Sequence, residues 1–188
     1  MPNILTSDEI NRLENYTRMS PCGLMIKLIV RMGIRHAEVL ELRVEDFDIE
    51  SRRISVRGAN SREVPVPEEM TLPLMQTVHG REETAYIVSN CLDGRRPLGA
   101  RTFQAFIARI ADQLEMPGVN SKNLRATCIV NKLAAGFTPE EIQLELGIRS
   151  RRSVMRYAEE NAGLLLMGFA SRHTRGLVPA TKPVAATV

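Results

Sequence analysis

The sequence predicts a mainly α-helical domain that carries one small antiparallel three-stranded sheet. Apolar residues recur at helical spacing along most of the 188 residues, and helix start and stop residues bracket those runs. Only between Val44 and Val66 does the spacing shorten to two, in short runs separated by turn residues. Hydrophobic residues make up 44% and charged residues 25%, a globular composition in a chain long enough for one core.

The elements follow in order. Thr6 with Glu9 has the pattern of a capping box and opens a helix over Ser7 to Thr17. Pro21 starts a strongly apolar second helix through Leu24, Ile26, Leu28, Ile29 and Met32, and Gly33 ends it. Arg35 sits on the turn into a short helix carrying Val39, Leu40 and Leu42. Phe47 and Ile49, then Ile54 and Val56, then Val64 and Val66 mark three strands. Turns at Glu50-Ser51-Arg52 and Gly58-Ala59-Asn60-Ser61 join them, and the last two strands form a hairpin. Pro67-Glu68-Glu69 opens a helix through Met70, Leu74 and Val78; Ala85 to Ser89 is a brief apolar run, and Gly94 to Leu98 a loop.

Helices resume at Arg101 to Leu114, with Phe103, Phe106, Ile107 and Ile110 on one face and Pro117-Gly118 as the stop. Asn123 to Ala135 follows, closed by Gly136. Thr138-Pro139-Glu140-Glu141 reads as cap, first-turn proline and acidic first turn of a helix ending near Gly147. A last long helix runs from Ser150 to about Arg172 and carries Tyr157. After Gly176 the Pro-, Ala- and Thr-rich end has no periodicity. The organisation expected is a single domain over 1–172 and a disordered tail over 173–188.

Composition narrows the function classes. The longest apolar stretch, Ala162 to Ala170, is about half of a membrane span. No basic-then-apolar leader opens the chain, so cytoplasmic residence with no membrane partner is expected. The three cysteines (Cys22, Cys91, Cys128) lack CxxC spacing, and Cys22 and Cys128 read as small core residues. His36, His79 and His173 form no metal-ligand pair. Net charge is only +3 with a pI near 9.0, yet Arg149, Arg151, Arg152 and Arg156 crowd together beside Tyr157.

Three separated segments carry a joint signal: MGIRHAEVLELRVEDFDIESRRISVRG around Arg35, SKNLRATCIVNKLAAGFTPEEIQLELG around Arg125, and LGIRSRRSVMRYA ending at Tyr157. Taken singly, each residue has a structural reading. Arg35 can cap the preceding helix, Arg125 can be a surface ion-pair partner, and Tyr157 an amphipathic-helix tyrosine with its hydroxyl at the rim. Together, in order and with Tyr157 ten residues after Gly147, the segments resemble the catalytic boxes of the tyrosine recombinases (phage integrases). The resemblance covers about Leu5 to Gly163 and implies a tyrosine recombinase catalytic-domain-like fold. It puts Arg35 and Arg125 in the places of the two catalytic arginines, Glu38 in that of a supporting acidic residue, and Tyr157 in that of the nucleophile.

The reaction so implied is metal-independent and needs no nucleotide or other cofactor. A tyrosine oxygen attacks a DNA phosphate, forms a 3′-phosphotyrosyl link and frees a 5′-hydroxyl. Arginine suits the extra transition-state charge because its planar cation forks onto two oxygens at once. The pattern also departs from the family. Where a proton-donating lysine is expected on the hairpin the chain has Ala59 or Asn60, and Arg57 or Arg62 could approach the phosphate instead. Lys122 stands three residues before Arg125, where the family has histidine or lysine. Ile148 takes the place of a histidine or tryptophan.

Catalytic residues implied are Arg35, Lys122, Arg125 and Tyr157, and DNA contacts Arg57, Arg62, Arg149, Arg151 and Arg152. Expected partners are double-stranded DNA, further copies of the chain on that DNA, and accessory DNA-bending proteins. No separate N-terminal clamp domain is read. The likeness is therefore to the minimal recombinases of fimbrial phase switches, and salt-sensitive binding is expected. In the family, the segment after the tyrosine docks into a neighbouring subunit; packing on its own core is the alternative for Ala162 to Ala170. Two functions follow: a site-specific recombinase or integrase, or a catalytically impaired, recombinase-derived DNA-binding regulator.

Overall fold

The computed structural model describes residues 3–166. The expected tail over 173–188, the end of the last helix near Arg172 and the far half of the Ala162–Ala170 segment lie outside the described residues. Thr6 accepts the Glu9 N–H while Glu9 reaches back to the Thr6 N–H, so α1 (Ser7–Thr17) begins at its capping box. Ser20 and Pro21 open α2 (Pro21–Met32), and Gly33, left-handed at φ 67°, closes it. α2 is apolar on nearly every side: Met25, Ile26, Leu28 and Ile29 have no exposed surface. It is therefore the central helix, packed by α1, by α3 (His36–Glu41) and by α6 (Ser121–Ala134).

A 3-10 turn (Val44–Asp46) leads into the sheet β1 (Phe47–Asp48), β2 (Arg53–Val56) and β3 (Arg62–Pro65), antiparallel and in chain order. Ile54 pairs with both Phe47 and Val64, so the apolar positions of the three strands line one buried face. β1 stops before Ile49, which is 45% exposed and not a core strand position. α4 (Glu68–Val78) follows, and the run Ala85 to Ser89 docks through single bridges, with the Ile87 N–H donating to the Leu42 carbonyl at 2.9 Å.

α5 (Ala100–Gln113), α6, α7 (Pro139–Leu146) and α8 (Arg151–Glu160) complete the described helices. α6 starts two residues before the expected Asn123, because the Asn120 side-chain oxygen accepts the N–H groups of Lys122 and Asn123. The single long final helix is corrected too. α8 ends at Glu160, where the Asn161 amide donates to the Tyr157 carbonyl at 2.9 Å, and a further helical turn covers 162–166.

One large core joins α1 to α6 and the sheet. A smaller one of Ile129, Leu133, Ile142, Leu146 and Val154 sits where α6, α7 and α8 meet. Cys22 and Cys128 are buried, as read from the sequence. Among the described residues no helix is long and apolar enough to cross a membrane.

Candidate functional site

The last carbonyls of a helix have no partner inside it and carry the negative end of its dipole. At the end of α7, three consecutive carbonyls are taken by three different arginines. Arg62 Nε donates to Glu145 O at 2.9 Å, Arg125 Nη2 to Leu146 O at 2.8 Å and Arg35 Nη2 to Gly147 O at 2.6 Å. These side chains arrive from β3, from α6 and from the residue preceding α3. Arg125 also donates to the carbonyl of Gly33, so it bridges the ends of α2 and α7.

Glu38 is the carboxylate among these cations. Its Oε1 accepts Arg35 Nη1 at 2.7 Å and Arg62 Nη1 at 2.9 Å. Its Oε2 accepts Arg62 Nη2 at 2.8 Å and the Arg35 backbone N–H at 2.9 Å. Burial alone would raise this carboxyl. The bonds from Arg62, then from the Arg35 backbone and side chain, outweigh burial and hold it at about 2. Arg125 is pushed down to about 10, by burial first and by the neighbouring Arg35 next, and stays a cation at neutral pH.

Both glycines of the site combine a left-handed backbone with close neighbours. A Cβ at Gly33 (φ 67°) would come 2.7 Å from Leu146 Cδ2, and one at Gly147 (φ 59°) 3.0 Å from Arg62 Cδ. The site therefore forms where two glycine-ended helices close on one another.

The remaining sequence-predicted residues are placed as follows. Lys122 is exposed on the first turn of α6, three positions before Arg125 and so on its face, with no side-chain partner among the described residues. Tyr157 is half-buried on α8 and its ring packs on the small core that includes Leu146. Ile148 packs on the same core, at the position where the resemblance implies a histidine or tryptophan.

Ala59 and Asn60 are exposed at the β2–β3 tip, and that tip and the α7–α8 corner border a shallow cleft lined by Asn60, Arg62, Leu144, Gly147, Ile148 and Arg149. Arg149 and Arg152 are exposed without an ion pair among the described residues, while Arg151 pairs with Glu140 at 2.7 Å. Arg57 turns back onto Asp46 at 2.6 Å and Glu45 at 2.9 Å. Arg62, read from sequence as a DNA contact, points inward with only 7% of its side chain exposed.

Sequence reasoning missed the acceptors at Glu145, Leu146 and Gly147, since backbone carbonyls leave no residue-type signature. It also missed the half-buried Lys132–Glu145 pair at 2.7 Å that braces α7 against α6. The thirteen-residue gap between these two charges is visible in the sequence, but nothing marks it out before α6 and α7 are known to pack together.

The model of the phage integrase family matches residues 3–163. Among curated proteins, the XerD-like tyrosine recombinase of Streptococcus sanguinis is 24% identical over 135 residues, which is 71% of this chain and 53% of that protein. Tyrosine recombinase XerC of Bifidobacterium longum is 26% identical over 149 residues, 71% of this chain and 41% of that one. The chain thus spans about half the length of the curated relatives it matches. Among solved structures, XerA recombinase aligns with a TM-score of 0.78 at 22% identity, covering 92% of this chain and 64% of its own. The Tn1549 transposon integrase, solved with circular-intermediate DNA, aligns with a TM-score of 0.72 at 16% identity, covering 84% of this chain and 61% of its own. At such identities these structures establish a shared fold.

Proposed function

The chain belongs to the phage integrase family, and from that membership we propose that it is a site-specific recombinase that cuts and rejoins duplex DNA through Tyr157. The observation that carries the reading is the row of arginines on the α7 carbonyls, next to the helix that bears Tyr157. A phosphodiester under attack gains negative charge on its non-bridging oxygens, and fixed guanidinium groups meet that charge without rearranging. Arg35 and Arg125 take this role. The Tyr157 oxygen bonds to phosphorus as its proton passes to water, the bond to the 5′-oxygen breaks, and a 3′-phosphotyrosyl ester remains.

Lys122 protonates the departing 5′-oxygen. It is exposed, without a partner among the described residues and on the face of Arg125, whereas the hairpin tip offers only Ala59 and Asn60. Exposed Arg149 and Arg152 extend the basic surface toward the DNA backbone. Resolution of the ester by a second strand restores the duplex bond, which calls for further copies of the chain on the same DNA. The likeness to DNA-inverting recombinases belongs to this proposal, and a substrate with inverted sites tests it.

The deciding experiment uses a duplex nicked beside the cleavage point, scored for a covalent protein–DNA adduct on a denaturing gel. The adduct is expected with the wild type and absent with Tyr157→Phe, while binding persists. A tightly bound substrate that yields no adduct with the wild type overturns the reading. Lys122→Gln is expected to slow adduct formation by about 100-fold. A substrate with sulfur at the bridging 5′ position, whose leaving thiolate needs no proton, is expected to restore the rate. If sulfur does not restore it, Lys122 is not the acid.

One observation favours a second reading, a DNA-binding regulator that does not cut. Ile148 is packed into the small core and offers no donor to a phosphate. Specific binding with no adduct from any nicked substrate would select it.

A further inference from the structure

We propose that Arg62 is a positioning residue that sets Arg35 and the end of α7, and that it is not itself a DNA contact. Its catalytic consequence rests on the recombinase reading. A guanidinium has five N–H donors. Arg62 spends four of them: Nε on Glu145 O at 2.9 Å, Nη1 on Glu38 Oε1 at 2.9 Å and on Asn60 O at 3.2 Å, and Nη2 on Glu38 Oε2 at 2.8 Å. One donor is left, on a side chain 7% exposed, which cannot fork onto a phosphate. Arg35 spends two side-chain donors and Arg125 two, so each keeps three of its five.

Glu38 explains why a fully engaged cation matters to the neighbouring one. A carboxylate accepts at about four lone-pair sites. Glu38 has four hydrogen bonds, two from the Arg62 fork and two from Arg35. With its capacity filled, Glu38 holds the Arg35 guanidinium by a single Nη1 bond and leaves Nη2 on the Gly147 carbonyl. Without the Arg62 fork, two acceptor sites on Glu38 open beside Arg35. They draw its second terminal nitrogen off Gly147 and turn the guanidinium toward the carboxylate. The same loss empties the space that Arg62 fills against Gly147, where its Cδ stands 3.0 Å from a Cβ built on that residue. Arg62 thus ties β3, α3 and α7 to one another at the point where Arg35 must be held still.

The test compares Arg62→Met and Arg62→Lys with the wild type on nicked duplex DNA, following affinity against salt, adduct formation at saturating DNA, and thermal unfolding. A positioning role is expected to leave the slope of log affinity against log salt unchanged and to slow adduct formation by about 100-fold. Arg62→Lys should recover only part of the rate, because an ammonium cannot fork onto Glu38. A slope reduced by about 0.9 with an unchanged rate at saturating DNA would make Arg62 a phosphate contact and overturn the proposal. Equal losses of affinity, rate and unfolding temperature in both variants would reduce Arg62 to a fold-stabilising residue, which also overturns it.

Should the wild type form no adduct, the recombinase reading fails by itself. The positioning role is then read from the Nε–H resonance of Arg35 in 15N-arginine-labelled protein. That resonance is expected to move in Arg62→Lys, and an unmoved one counts against the proposal. Arg62→Lys keeps a cation at the site, so it serves if Arg62→Met does not fold.

Discussion

At the scale of single residues, the site is governed by how many donors and acceptors each group has left to give. Glu38 is the sharpest case. Its carboxyl sits at about 2, against an ordinary value near 4.5, because Arg62 and Arg35 hold the charged form against the cost of burial. A carboxyl lowered on folding stabilises the folded protein above its unfolded value and loses that contribution as pH falls from about 4.5 to about 2. The shift corresponds to a contribution on the order of 3 kcal/mol. Denaturant unfolding of the wild type and Glu38→Gln should therefore differ most at pH 6 and converge as the pH is lowered toward 2. A gap that stays constant over that range would mean the arginines do not depend on this charge. Arg35, Glu38 and Arg125 each stand in a distinctive local motif in the sequence, and the fold brings the three together at the end of α7. The inward turn of Arg62 was not legible there, since an arginine next to a hairpin tip reads the same whether it faces DNA or a buried carboxylate.

At the scale of elements, the boundaries that were legible are those with a chemical stop. Ser7–Thr17 and Pro21–Met32 match the expected helices because a capping box, an N1 proline and a left-handed glycine each act within a few residues. Where no such stop stands, a single asparagine side chain sets the boundary. Asn120 starts α6 by its side chain, and Asn161 breaks the last helix by competing for the Tyr157 carbonyl. The two glycine stops do more than end helices. Gly33→Ala places a methyl 2.7 Å from Leu146 Cδ2 at a φ of 67°, so it both strains the backbone and wedges α2 away from α7. It is expected to cost about 1–3 kcal/mol, measured by urea unfolding. A neutral effect would show that the α2–α7 junction yields easily.

At the scale of the whole molecule, a large core and a small one share the work. The large core was legible from periodicity, because α2 is apolar along its length and α1 and α5 repeat apolar residues at helical spacing. The small core was not, because Ile129, Leu133, Ile142, Leu146 and Val154 come from three different helices whose mutual packing no local pattern announces. It is this second cluster that carries Tyr157 and sets the end of α7. The carbonyl row at Glu145, Leu146 and Gly147 then imposes a rule of length on the gene. Thr138 caps the start of α7, so the direction of each carbonyl at its end depends on the number of residues between. One inserted or deleted codon within that stretch turns the row by about 100° around the helix axis and points it away from all three arginines at once. Substitutions along the outer face of α7 leave the row where it is, so the length of this short helix is more tightly constrained than its amino acids.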